Sequence, residues 1–393
     1  MRNNPNFLKN EWIARQCKKE ESYNVVGVEI KDRRLTLSRT LSSLSSEICS
    51  VSYLCKIENN KIIPNRYYLR EICKRLQMKD DKVKTLLNLR ITLERMVKAF
   101  LCKRNDEIRE AFESGNGLYN YRYKIIEFIY YISIKDMAQA NQKAGEILRL
   151  VSTMTNNDLS IFSLFYGILS FYNQDFDMAL EDLKALRAYS EEILILQTKY
   201  KFFVYFMLNH PCCIFEYQGL IETLLRCGFL EEIDEIQYIM GLYLLRNKYF
   251  MEYKRIFKLI HKPSYRRSLL LLAKLIVSPG LAVREAWIED VEPFFYYLGL
   301  IKIRPAEAEE KISAMNDLSF RVDFNLIYLQ YMLITDDGEQ YKFICTTAFP
   351  TIERTNDGFA KEYFLQELSK ISSRLGRYKL FHDAYQRIRR REK

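Results

Sequence analysis

Histidine, cysteine, serine and glycine are the residue types whose spacing could indicate catalysis or metal binding in this chain. The three histidines, His210, His261 and His382, have no metal-ligand spacing and form no HExxH or Cys/His pattern. The short Gly115-Asn-Gly117 run lacks the third glycine of a phosphate-binding loop, and the serine-rich stretch 38–50 contains no nucleophile elbow. We therefore predict no catalytic residue, no metal and no cofactor, and we expect that the chain is not an enzyme.

Basic residues are concentrated near the N-terminus, where they could contact a polyanion. Residues 1–88 contain 18 Lys/Arg and 10 Asp/Glu, within a chain of 393 residues whose net charge is +10. A near-neutral middle follows, and residues 387–393 form a short basic tail. This asymmetry favours a protein in which only the head meets nucleic acid.

The cysteines and the apolar stretches predict where the protein resides. The nine cysteines are odd in number and scattered, which favours free thiols in a reducing compartment. The first twelve residues lack the apolar core of a signal peptide, and no apolar stretch is long enough to cross a bilayer. We expect a cytoplasmic protein with no membrane partner.

Apolar residues recur with helical spacing in five short runs between residues 26 and 87. Ser50 is a good N-cap for the third run, in which Leu54 and Ile57 turn inward. We predict a first helix lined by Val26, Ile30 and Leu37 and a second lined by Leu41, Leu44 and Ile48. A third helix is expected over Val51–Asn59, a fourth opens at Pro64-Asn65, and a fifth runs from Asp80 to about Leu87. Short helices joined by short turns are the helix-turn-helix layout.

The order of residues in this segment resembles the phage-repressor (Xre/Cro) helix-turn-helix family. The matching features are Gly27-x-Glu29-Ile30-Lys31-x-x-Arg34, Leu44-Ser45, Ser50-x-Ser52-Tyr53-Leu54-x-Lys56-Ile57-Glu58-Asn59, Pro64 and Leu69-x-x-Ile72. The resemblance implies that Val51–Asn59 is a recognition helix in the major groove of double-stranded DNA. It also implies base-facing positions at Val51, Ser52 and Tyr53, a groove or backbone contact at Lys56, and phosphate contacts at Arg39, Thr40, Ser50, Lys61 and Asn65.

Three positions depart from the family pattern. Leu41 replaces a glutamine that clamps a phosphate, Ile48 replaces a glycine in the turn, and Asn60 replaces a glycine after the recognition helix. Asparagine tolerates the left-handed conformation, so the last change is mild. Leu41 and the apolar Val51 leave weaker base readout than usual. The alternative is a degenerate helix-turn-helix that serves as a dimerisation or docking module.

From about Leu87 onward, amphipathic helical runs alternate with short polar turns. Nine predicted turns between Asn105 and Gly376 lie about 34 residues apart on average, the period of tetratricopeptide-type helical hairpins. They are Arg104-Asn105-Asp106, Ile134-Lys135-Asp136, Asn173-Gln174-Asp175, Asn209-His210-Pro211, Arg246-Asn247-Lys248, Ser278-Pro279-Gly280, Arg304-Pro305, Asp336-Asp337-Gly338 and Leu375-Gly376-Arg377. In the best unit, Gly167 and Ala179 stand where two antiparallel helices must approach closely. These units resemble degenerate tetratricopeptide repeats, which implies an all-α fold with a right-handed superhelix of helical hairpins. The alternative is an irregular helical bundle.

A superhelix of such repeats has a concave surface suited to an extended peptide. Aromatic and amide side chains on the first helix of each pair are expected to face this groove. The candidate peptide-binding residues are Tyr238, Arg246, Tyr297, Asn325, Tyr328 and Gln330. For each of them the alternative is a buried core role, because aromatic residues at helical spacing usually pack inside.

A repressor-type head followed by tetratricopeptide-like repeats resembles the Rgg/PlcR/PrgX-like group of peptide-sensing quorum regulators. The resemblance implies a homodimeric transcriptional regulator whose DNA activity responds to a short signalling peptide. The expected organisation is an N-terminal extension over 1–24, the DNA-binding domain over 25–86, a repeat domain for regulation and dimerisation over 87–386, and a basic tail over 387–393.

Two alternatives to this function remain open at the level of sequence. The chain could be an adaptor whose degenerate helix-turn-helix no longer binds DNA and whose repeats bind a protein partner. It could also be a repeat protein that sequesters a signalling protein when no peptide is present. DNA binding by the head would discriminate against the first, and co-purification of a stoichiometric partner would favour the second.

Overall fold

The computed structural model describes residues 7–15, 26–59, 62, 64–78, 80–114, 120–278, 283–313, 322–355, 357–376 and 378–390. Over these residues the fold is all-α, with no strand in the described part, which confirms the predicted fold class. The chain divides into two compact units. The first comprises Met1–Asn173 and Asp177–Gln197, and the second comprises Gln174–Phe176 and Thr198–Lys393. Among the described helices, none is both long and apolar enough to span a membrane.

The helices follow one another with short connections. The N-terminal six are α1 Phe7–Arg15, α2 Val26–Thr36, α3 Leu41–Ser45, α4 Val51–Glu58, α5 Arg66–Arg75 and α6 Asp80–Leu101. The next nine are α7 Asn105–Ser114, α8 Tyr121–Ser133, α9 Met137–Leu148, α10 Asn156–Tyr172, α11 Phe176–Ala185, α12 Glu191–Met207, α13 Cys212–Cys227, α14 Ile233–Arg246 and α15 Phe250–Phe257. The last eight are α16 Pro263–Val277, α17 Pro293–Ile303, α18 Pro305–Ser313, α19 Val322–Leu333, α20 Asp337–Phe343, α21 Phe349–Thr355, α22 Gly358–Arg374 and α23 Tyr378–Arg390.

Helices α2 to α5 form the head around a small apolar core. Helix α4 packs against α2 and α3, and α3 packs against α5. The core side chains are almost fully buried: Ile30, Leu44, Leu54, Ile57, Leu69, Ile72 and Leu76. These positions recur at helical spacing along the sequence, and burying them on one side leaves the opposite faces of the short helices exposed.

Two details of the head differ from the sequence prediction. The turn before α4 takes its left-handed residue at Glu47, with φ +62°, and not at Ile48, where the family pattern placed a glycine. The predicted fifth helix is longer than expected, because α6 continues without interruption to Leu101. The expected domain boundary at residues 86 and 87 therefore lies inside one continuous helix.

The region after the head is built from helical hairpins. In the first unit α8 packs on α9 and α10, and in the second unit α14 packs on α15 and α16, while α17 packs on α18 and α19. This contact of each first helix with the next helix and the next but one is typical of stacked hairpin repeats. Non-glycine residues with positive φ mark successive turns: Lys103, Lys135, Gln174, Asn209 and Lys248. Each lies at or directly beside a turn predicted from the sequence; the turn predicted at Ser278-Pro279-Gly280 lies partly outside the described residues.

Gly167 permits the close approach of α10 and α11 that the sequence predicted. A Cβ atom added at Gly167 would lie 2.9 Å from the Leu183 Cγ atom, and Ala179 on the same facing helix is fully buried. Side chains at both positions must therefore be small.

Gly358, the first residue of α22, should tolerate no side chain. A Cβ atom there would overlap the Leu208 carbonyl group, whose carbon would be 2.7 Å away. We expect Gly358→Ala to lower the free energy of unfolding by about 1–3 kcal/mol, because backbone cannot move aside as a flexible side chain can. Gly219→Ala on α13 is the control, since an added Cβ meets nothing within 4 Å there. Urea denaturation that showed the same stability change for both variants would contradict this assignment.

Candidate functional site

The N-terminal turn of α4 is the exposed end of the head. The Ser50 side chain caps the helix by accepting a hydrogen bond from the Tyr53 backbone N–H at 3.1 Å, which confirms the predicted N-cap. Val51 and Ser52 are exposed, whereas Leu54 and Ile57 on the inner face are fully buried. A rigid helix that is anchored on one side and free at its first turn can enter a DNA groove.

The Tyr53 side chain makes contacts within the head. Its ring lies edge-on to Tyr68 with 5.4 Å between centroids, and its hydroxyl accepts a hydrogen bond from the Asn65 backbone N–H at 3.4 Å. The side chain is half-buried. Tyr53 therefore ties the start of α5 to α4, in addition to any contact that it makes with a ligand.

Of the other predicted DNA contacts, the structure describes Arg39, Thr40, Lys56 and Asn65. Thr40 and Asn65 are exposed and cap α3 and α5, accepting hydrogen bonds from the backbone N–H groups of Ser43 and Tyr67 at 3.1 and 2.9 Å. Lys56 is exposed, Arg39 is partly exposed, and Lys61 lies outside the described residues. Sequence reasoning missed two exposed arginines on α5, Arg66 and Arg70. Their signal was a basic residue directly after the Asn65 cap and another one helical turn later.

A buried ion pair holds the exposed helix in place. Arg34 on α2 donates to both carboxylate oxygens of Glu58 on α4, with Nε–Oε1 at 2.7 Å and Nη2–Oε2 at 2.8 Å. Arg34 also donates to the Arg39 backbone carbonyl at 2.9 Å. The hydrogen bond to Glu58 raises the pKa of the Arg34 guanidinium above its usual value. Both residues belong to the sequence motif, but nothing in their spacing along the chain indicates that they pair.

A cavity of about 380 Å³ lies in the second unit. Its size falls within the range of small-ligand sites. The apolar walls come from α16, α17 and α22, and include Leu272, Ile276, Phe294, Leu298 and Phe359. The polar lining consists of Asn209, Arg246, Asn247, Lys248, Tyr328, Glu362, Tyr363 and Gln366. Apolar walls with a few convergent polar groups are the usual composition of a ligand site.

Amide side chains donate hydrogen bonds to Glu362, the carboxylate that lines this cavity. The Asn209 Nδ2 atom donates to Glu362 Oε2 at 3.2 Å, and Gln366 Nε2 donates to Glu362 Oε1 at 3.3 Å. Asn247 Nδ2 donates in turn to Asn209 Oδ1 at 2.9 Å. Both oxygens of the cavity's carboxylate thus have donors within the protein. The lining contains two cationic side chains and one carboxylate, so the cavity favours an anionic group.

The Arg246 guanidinium lies near two aromatic rings. Its guanidinium carbon lies 4.4 Å from the Phe359 ring centroid and 5.4 Å from that of Phe206. Such contacts fix the plane of a guanidinium group while it keeps its charge. Burial raises the pKa of Tyr328 and Tyr363 above the usual value of a tyrosine hydroxyl.

The structure brings together two of the six predicted peptide-binding residues, Arg246 and Tyr328. Tyr297 lines a second cavity of about 600 Å³ in the same unit, beside Tyr296 and Arg304. Tyr238 stacks on Tyr265 with centroids 4.3 Å apart, and Asn325 is only 5% exposed. Tyr238, Asn325 and the partly exposed Gln330 line neither cavity. Other cavity residues, such as Asn209 and Glu362, were not predicted from the sequence. They meet in the structure although they lie 153 residues apart in the chain.

Comparison with known proteins gives one sequence relative and two solved structures. The chain is 26% identical over 149 residues to the transcriptional activator NprA of Geobacillus stearothermophilus, a match that covers 36% of this chain and 37% of the relative. The chain thus spans little more than a third of the curated relative that it matches. No family model matches the chain.

The two solved structures are similar to this chain at low sequence identity. One is Bacillus thuringiensis PlcR in complex with the peptide PapR7 and DNA, with 19% identity, 65% of this chain and 99% of that chain covered, and a TM-score of 0.33. The other is the Streptococcus dysgalactiae SHP pheromone receptor Rgg2, with 14% identity, 74% and 99% covered, and a TM-score of 0.19.

Proposed function

We propose that this protein is a DNA-binding transcriptional regulator of the Rgg/PlcR-like type and not an enzyme. The observation that carries the proposal is the exposed first turn of α4, capped by Ser50 and held from behind by the Arg34–Glu58 pair. The similarity to a transcriptional activator supports it. Val51, Ser52 and Tyr53 face the bases in this proposal, and Arg39, Thr40, Ser50, Lys56, Lys61 and Asn65 contact the backbone of double-stranded DNA.

A short signalling peptide is the proposed regulator, and its site is the cavity around Arg246. The cavity's apolar walls suit hydrophobic side chains, and its excess of cationic groups suits a peptide carboxylate. Peptide binding joins α14, α16, α17, α19 and α22, and so favours one arrangement of these helices. A head of this size reads a short half-site of DNA. We therefore propose that the protein acts as a homodimer, whose two heads read two half-sites.

The recognition-helix assignment can be tested with DNA selected by the full-length protein from a random duplex pool. Ser52 is exposed in the first turn of α4. We expect Ser52→Ala to weaken binding to the selected duplex by about 1–3 kcal/mol, and to leave binding to random DNA nearly unchanged. Arg39→Ala should weaken both equally and reduce the salt slope by about one unit, because a phosphate contact carries no sequence information.

Two results would contradict this proposal. Equal losses on selected and random DNA for Ser52→Ala would place the recognition surface elsewhere. No enrichment of any duplex by the wild-type protein would favour an adaptor with a degenerate helix-turn-helix.

A further inference from the structure

Helix α1 precedes the head in sequence but packs on the repeats of the first unit. Leu8 and Trp12, four residues apart and therefore on one helix face, are only 3% and 4% exposed. Ile13, on another face, is 53% exposed. The apolar face of α1 is thus covered, and its outer face is in solvent.

The contacts of Trp12 identify the surface that covers it. The indole N–H donates a hydrogen bond to the Oγ atom of Ser163, a buried residue of α10, at 3.3 Å. The indole ring also stacks on Tyr189, in the connection between α11 and α12, with centroids 6.4 Å apart and planes 21° apart. The Trp12 side chain therefore packs against residues that lie more than 150 positions away in the sequence.

A helix as short as α1 depends on these contacts. It has nine residues, and isolated helices shorter than about 12–15 residues are marginal in water. Losing the contacts of Trp12 would therefore remove both the packing and the helix. Docked and released forms of α1 are the two states that this arrangement allows.

The position of α1 in the chain gives these two states a consequence for the head. The next described helix, α2, is the first helix of the head, and at its other end the head continues through α5 into α6. Ten residues, 16–25, connect α1 to α2, so docked α1 limits how far the head can move from the repeats on its N-terminal side. This connection adds to the one through α6.

We propose that α1 is an intramolecular latch that restricts the positions that the DNA-reading head can take on the repeats, with Trp12 as its anchor. The inference rests on the proposed function. In a homodimer, the orientation of the heads sets the separation of the two half-sites that they can read together. With α1 docked the protein reads one separation, and with α1 released it accepts several.

Full-length Trp12→Ala, with Ile13→Ala as the matched control on the same helix, tests the latch in two steps. Hydrogen exchange of the α1 amides should accelerate by about tenfold or more in Trp12→Ala and stay close to wild type in Ile13→Ala. Selection from a random duplex pool should give paired half-sites at one separation for wild type and Ile13→Ala. Trp12→Ala should select the same half-sites at several separations.

Three other outcomes would contradict the latch, the role of Trp12 or the proposed function. A single unchanged separation in Trp12→Ala, together with fast exchange in α1, would overturn the latch and leave the proposed function standing. Unchanged exchange in α1 would overturn the anchor role of Trp12. A wild-type protein that enriches no duplex would overturn the proposed function, and the latch with it. Tyr189→Ala removes the stacking partner from an exposed position and gives the same test if Trp12→Ala does not fold.

Discussion

Glu58→Ala is expected to unfold the DNA-reading head and to abolish DNA binding by the full-length protein. The Arg34 and Glu58 side chains are only 10% and 3% exposed, and each supplies the other's charge partner inside the head. Removal of one partner leaves an uncompensated buried charge, which costs about 3–5 kcal/mol. That loss is a large part of the stability of a small domain. Hydrogen exchange of the α2 and α4 amides and binding to the selected duplex would measure it.

An exposed ion pair in the same head provides the control. Lys74 and Glu71 on α5 lie 3.5 Å apart with side chains 70% and 34% exposed, so Glu71→Ala should change the stability by less than about 1 kcal/mol. The double variant Arg34→Met with Glu58→Met should recover much of the lost stability, because no buried charge is left alone. Protection of α2 and α4 equal to wild type in Glu58→Ala would show that the pair does not hold the head together.

Under the proposed function, Arg246→Ala is expected to abolish the response to the proposed peptide and to leave DNA binding by the unliganded protein unchanged. Arg246 contacts the Phe206 and Phe359 rings at the cavity wall, so its charge is positioned before a ligand arrives. Loss of such an anchor typically costs about 2–4 kcal/mol, or roughly 30- to 1,000-fold in affinity. Calorimetry with a peptide selected on the wild-type protein from a synthetic library would measure the change.

Two further variants separate charge from position. Arg255→Ala removes an exposed arginine from α15 in the same unit and should bind the peptide with wild-type affinity. Arg246→Lys keeps the charge but loses the planar group that lies along the Phe359 ring, so an intermediate affinity is expected. Wild-type affinity in Arg246→Ala, with the fold confirmed by thermal denaturation, would move the peptide site away from this cavity.

The sequence by itself determined the local structure of this protein. The Ser50 cap, the helical spacing of Leu54 and Ile57, and the polar turns at Lys135, Gln174, Asn209 and Lys248 all appear in the structure where the sequence predicts them. Each depends on interactions within a few residues, namely a cap bonded to its own helix, an apolar face or a turn. Such interactions can be deduced from neighbouring residue types.

The tertiary structure alone decided which distant residues meet. Arg34 pairs with a carboxylate 24 residues away, and Trp12 with a serine 151 residues away. The cavity around Arg246 likewise draws its lining from residues between Asn209 and Gln366. In the sequence each of these side chains is one charged, aromatic or amide residue among many on its helix. Packing determines which of them become buried and which partner each meets, because burial depends on the helices that lie against it and not on its neighbours in the chain.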